Sequence, residues 1–133
     1  MSRQVSMQFG KPGSVQQNSN SGGYSTTILT PTVTKTSGNT SIDSISAVRF
    51  GNVVQVLFGF KFTGTVNAGS DAFVGTISDV PLPALDAHGV GYFSNSALVT
   101  KIETDGTMTI RIVGGNRSSS NTVALVAVTY VCS

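Results

Sequence analysis

The chain has 133 residues, of which 11% are charged, with eight Lys and Arg against six Asp and Glu and a formal net charge of +2. At that length one domain is expected, large enough to bury roughly two-thirds of its unfolded surface without a disulfide. Scattered from Arg3 to Arg117, the cations form no basic stripe, which argues against nucleic-acid binding, and no run approaches the ~20 apolar residues of a membrane span.

Further classes fall away on composition. The opening MSRQVSMQFGKPG lacks the continuous apolar core of a secretory signal, so the chain reads as soluble, and its two N-glycosylation patterns, at Asn39 and Asn116, read as chance in a Ser- and Asn-rich chain. Cys132 stands alone, so no intrachain bridge is possible. A surface of Ser, Thr, Asn and Gln with so few ions suits a protein whose strands are partly covered by identical neighbours.

Val5, Met7 and Phe9 alternate, and a short strand there would suit addition to a sheet edge of its own or a neighbouring subunit. Residues 11–23, KPGSVQQNSNSGG, read as a flexible linker, which divides the chain into an N-terminal segment over 1–23 and a β domain over 24–133. Residues 26–36 are β-branched but carry Pro31, which cannot donate to a ladder and marks an edge strand.

Residues 42–50 and 53–63 flank Gly51-Asn52, a two-residue connection that predicts a tight hairpin. In its second strand Val54, Val56, Phe58, Phe60 and Phe62 share one face while Gln55 and Lys61 lie opposite, the alternation of a strand buried on one side. Residues 71–77 give a further strand, and Val80-Pro81-Leu82-Pro83 opens a long loop to about Gly91, with Tyr92 and Phe93 starting a short strand.

Residues 97–103 pair with 107–113 across Thr104-Asp105-Gly106, so that Leu98 and Ile102 share a side with Met108, Ile110 and Ile112 while Lys101, Glu103 and Arg111 fall opposite. After the polar loop GGNRSSS over 114–120, residues 122–131 are apolar on both faces: Val123, Leu125 and Val131 on one, Ala124, Val126, Val128 and Tyr130 on the other. That implies a strand covered twice, inside a sandwich or between a core and a subunit interface. No helix longer than a turn is indicated, and the expected fold is all-β, an antiparallel β-sandwich or jelly roll.

Chemistry-bearing residues are sparse. His88 near Asp86 has no further His or Cys to complete a metal site or an acid–base set, no G-x-S-x-G elbow is present, and Gly114-Gly115-Asn116-Arg117 lacks the Lys and spacing of a phosphate loop. Among the acids, Asp105 reads as a turn residue, Glu103 as the outer face of a strand and Asp71 as a strand entrance, which leaves little for a glycosidase pair. No catalysis, metal or cofactor is expected. For recognition, Asp86, His88, Tyr92 and Asn95 in one region, and Asn116, Arg117, Ser118 and Ser119 in another, supply the planar polar groups and the aromatic face that suit sugar hydroxyls and ring C–H surfaces.

From Ser46 to Val131 the order of features resembles the C-terminal head domains of bacteriophage tail-fibre and baseplate receptor-binding proteins. The likeness is carried by Val48-Arg49-Phe50-Gly51-Asn52-Val53-Val54-Gln55-Val56, by Val74-Gly75-Thr76-Ile77 leading to Val80-Pro81-Leu82-Pro83, and by Ile102-Glu103-Thr104-Asp105-Gly106-Thr107-Met108-Thr109-Ile110. Leu82-Pro83-Ala84-Leu85 stands where an aromatic-Arg-Pro step often follows in that family. The resemblance implies a homotrimeric β-sandwich head at a virion tail tip or fibre that binds bacterial surface polysaccharide without cutting it. Its N-terminal segment would join another virion tail or baseplate protein. The alternatives are a structural trimerising tip or decoration module, and a polysaccharide-degrading enzyme domain.

Overall fold

The computed structural model describes residues 25–93 and 96–133. The strand expected at Val5, Met7 and Phe9, the linker over 11–23, the boundary at 23/24 and Asn95 lie outside the described residues. Among those residues there is no helix; the elements are β1 (Thr26–Leu29), β2 (Thr32–Ser37), β3 (Thr40–Phe50), β4 (Val53–Phe62), β5 (Asp71–Ser78), β6 (Ala87–Phe93), β7 (Ser96–Ile102), β8 (Thr107–Ile112) and β9 (Ala124–Val131).

They form one antiparallel sheet in the order β1-β3-β4-β9-β6-β7-β8-β5-β2. The anticipated hairpins set its frame. Phe50 pairs with Val53 around Gly51, whose φ of 63° is the left-handed conformation that glycine adopts without penalty, and Leu98 to Ile102 pair with Ile112 to Met108. Residues 26–36 divide into two edge strands, because Pro31 interrupts them. β1 and β2 lie at opposite edges of the sheet, yet only Thr30 and Pro31 separate them, so Leu29 and Thr32 sit at most about 11 Å apart. The sheet therefore curls, into a half-barrel with buried Pro31 at the meeting of its edges.

The concave face holds the core. Val54, Val56, Phe58, Phe60 and Phe62 of β4 are buried, as the alternation requires, together with Leu98 and Ile102 of β7 and Met108, Ile110 and Ile112 of β8. The rings of Phe58 and Phe73 lie 5.2 Å apart, those of Phe60 and Phe62 5.4 Å, and those of Phe62 and Phe93 5.0 Å. Tilted and edge-on pairs of this kind each contribute ~0.5–1.5 kcal/mol beyond area burial.

The sequence expectation for β6 is corrected here. The loop after Val80 ends at Asp86 rather than near Gly91, because β6 begins at Ala87. Tyr92 and Phe93 end a strand rather than start one. The inward positions of β6 ahead of Phe93 are Ala87, Gly89 and Gly91, so only Phe93, packed on Phe62, brings apolar bulk to its core side, and the first part of the strand escapes recognition by alternation. The reason lies in its approach to β9: a Cβ on Gly89 would stand 2.1 Å from the Ala127 carbonyl oxygen, and one on Gly91 2.2 Å from that of Leu125. Of the two covers that its doubly apolar sequence offers, the last strand has one within the chain. Ala124, Val126, Val128 and Tyr130 are buried, whereas Leu125 and Val131 keep 48% and 54% of their surface exposed. One layer of sheet covers the first set, and no described element crosses the second.

Candidate functional site

The segment between β5 and β6 is anchored along the end of β9, and this makes a groove. It leaves β5 at Asp79, a non-glycine residue with φ 62° whose carboxylate accepts a hydrogen bond from the Thr32 hydroxyl at 2.6 Å. Downstream, the Tyr130 hydroxyl donates to the Pro81 carbonyl at 2.6 Å, the Ala84 amide donates to the Val131 carbonyl at 2.9 Å, and the Ser133 amide donates to the Leu82 carbonyl at 3.1 Å. The prolines fix φ and the bonds to β9 fix position, so an irregular segment is held like a further strand.

The groove has a volume of ≈ 340 Å³ and is walled by Leu85, Asp86 and His88 on one side and Thr129, Tyr130 and Val131 on the other. Two of the residues marked by sequence, Asp86 and His88, thus come together. Asp86 Oδ1 accepts a hydrogen bond from the Thr104 amide at 3.2 Å, tying the groove wall to the β7–β8 turn. In that turn the Thr107 amide and hydroxyl donate to the Asp105 carboxylate and hold its pKa below the ordinary value, in keeping with a turn role. His88 is exposed and sits on strand β6, within the span expected as a loop.

The remaining candidates lie elsewhere. Tyr92 is 74% exposed on the outer face of β6, four residues and roughly 13 Å along the strand from His88. Asn116 accepts a hydrogen bond from the Ala68 amide at 2.8 Å through its side-chain oxygen, and Arg117 pairs its backbone with Val66 while its guanidinium stands 5.8 Å from the Phe93 ring centroid. Both therefore take part in closing the end of the half-barrel. Beside them Ser119, Ser120 and Asn121, with Ser41 and Lys61, line a second groove of ≈ 490 Å³. Thr129 and Tyr130 reach Asp86 through the β6–β9 pairing and the bonds from the end of β9 to residues 81–84, long-range contacts that spacing does not report.

Among the described residues no group of three or more His, Cys, Asp or Glu is placed to hold a metal ion. The first groove offers a carboxylate, an imidazole and a hydroxyl beside the apolar surfaces of Leu85 and Val131. Such a set suits hydrogen bonding to hydroxyls and contact with C–H surface. Fold and groove together define an antiparallel β scaffold with a shallow polar groove. No protein-family model matches the chain, nor does any curated protein.

Tyr130 supplies a direct check on how the groove is held. Burial, with Cys132 beside it, pushes its phenol up to about 12 from an ordinary 10. The folded state thus retains the phenolic proton more tightly than the unfolded chain. The stabilisation is complete below pH 10 and is lost as the pH rises from 10 towards 12. Tyr130→Phe is expected to cost about 1 kcal/mol at neutral pH through the Pro81 bond and to abolish the Tyr130 share of the alkaline loss; urea unfolding below and above pH 10 measures both effects.

Proposed function

We propose that the chain is a non-catalytic receptor-binding head that recognises bacterial surface saccharide, carried as a homotrimer at a virion tail tip or fibre and joined to another tail or baseplate protein through residues 1–23. In this reading the curled sheet acts as the two layers of a sandwich or jelly roll, folded over at Pro31 and at the glycines of β6. The observation that carries it is the groove bringing Asp86 and His88 against Thr129 and Val131, on a segment anchored to the sheet. Preorganisation of this kind limits the ordering cost of binding, and weak single sites gain from repetition across copies.

Binding of the purified protein to host cells and to a glycan array tests the reading. His88→Ala and Asp86→Asn, each preserving the fold, are expected to lower per-site affinity about tenfold, the effect of ~1.4 kcal/mol of lost contact energy, and chelator is expected to leave binding unchanged. Intact binding by both variants would remove the groove from recognition.

A second reading, a structural tip or decoration module, draws support from Asp86, Asn116 and Arg117, each of which also serves the fold. It gains if the array is blank while the protein still assembles into virions.

A further inference from the structure

The two halves of the sheet differ on their outer faces. Cross-strand pairing puts Ile28, Val48, Gln55 and Thr129 in one row, Phe50, Val53 and Val131 in the next, Ser46, Leu57, Ala127 and Val90 in a third, and Ser44, Gly59, Leu125 and Tyr92 in a fourth. Across β1, β3, β4, β9 and β6 these rows contain no Asp, Glu, Lys or Arg. Lys61 stands at one end of β4 and is paired with Asp43 at 3.7 Å. The outer face of β7, β8 and β5 is ionic instead, with Lys101 3.4 Å from Glu103 and Arg111 3.2 Å from Asp71.

The charge-free half is open to solvent. Ile28 is 84% exposed, Val90 68%, Phe50 52% and Leu57 44%, beside Tyr92, Leu125 and Val131. Summed over ordinary residue surfaces, this comes to on the order of 800 Å², above the ~300–600 Å² of the largest patch on a typical monomer and equal to the ~800 Å² that each partner contributes to a standard interface.

We infer that this face seats a second copy of the chain. A partner carrying ions would have them stripped of water with no counter-charge to meet, whereas a copy presents the same uncharged rows and leaves the Lys101–Glu103 and Arg111–Asp71 pairs on the far half of the sheet. The inference deepens the multi-copy reading above and rests on it for the number of copies. It also assigns Tyr92 to contact between copies rather than to the saccharide groove, whose Thr129 and Val131 stand at the edge of the same face.

Light scattering coupled to size exclusion, on the full chain, tests it. The parent is expected at a multiple of 13.7 kDa. Leu125→Glu and Leu57→Glu, at half-exposed positions, are expected at the single-chain mass with the parent's far-ultraviolet spectrum, and Thr109→Glu on the ionic half at the parent mass. A parent running as a single chain would overturn the inference and point to a different partner for the face. Two glutamate variants that retain the parent mass would overturn it as well. Saccharide binding is read on the single-chain variants, in which Thr129 and Val131 are uncovered, so that failure of the groove and failure of this inference are distinguishable.

Discussion

Gly91→Ala is expected to destabilise the domain by about 3 kcal/mol or more, at or beyond the upper end of ordinary overpacking. The added Cβ would lie 2.2 Å from the Leu125 carbonyl oxygen, 2.7 Å from Val126 Cγ1 and 3.1 Å from Val126 Cα. Two of those atoms are backbone, so no rotamer change relieves the clash and the strands must part. The pairs Val90–Ala127, Gly91–Val126 and Tyr92–Leu125 would be lost together. In a domain of this size ~3 kcal/mol corresponds to a drop of roughly 10–20 °C in melting temperature. Gly89→Ala meets the Ala127 carbonyl oxygen at 2.1 Å and should behave alike, with the further consequence that His88 leaves the groove. Calorimetry on both variants decides the matter; a change within 1–2 °C would mean that β6 can move off β9 without cost.

Phe58→Ala is expected to cost about 3–5 kcal/mol, the range for truncating a buried ring. Phe58 is fully buried, 5.8 Å from the Phe60 ring and 5.2 Å from the Phe73 ring, and it joins β4 to β5 across the concave face. Against a total stability of ~5–15 kcal/mol, that loss removes between about a fifth and all of the whole. Phe58→Leu, which keeps most of the volume, should lose less. Urea midpoints of the two variants against the parent give the difference, and equal midpoints would show that the ring contacts contribute little. Tyr92→Ala, at an exposed position of the same sheet, is expected to stay within about 0.5 kcal/mol per chain where copies are kept apart.

These contrasts mark what the chain discloses on inspection. Residues 53–63 and 97–113 announce their strands and faces, because one side is solvent and the other core, so apolar period two and burial coincide. Gly51-Asn52 and Asp105-Gly106 disclose the turns because their backbone demands are local. β6 is silent up to Gly91 for the opposite reason: tight approach to β9 requires glycine where alternation would show a large residue. The final strand is doubly apolar, but the sequence does not say which face is core; pairing of Val126 with Phe58 and Gly91 settles that. The groove was half legible. Asp86 and His88 are neighbours in sequence, whereas Thr129, Tyr130 and Val131 reach them only when the sheet closes, and Arg117 lies over Phe93 through a contact that no local pattern encodes.

The proposed saccharide site is tested most directly by amide chemical shifts of the labelled protein during titration with polysaccharide purified from a susceptible host. Perturbations are expected at residues 84–88 and 129–131, to weaken in His88→Ala, and to persist in the presence of chelator. Saturating polysaccharide that leaves those amides unmoved, or that moves residues 116–121 instead, would contradict the assignment of recognition to the groove.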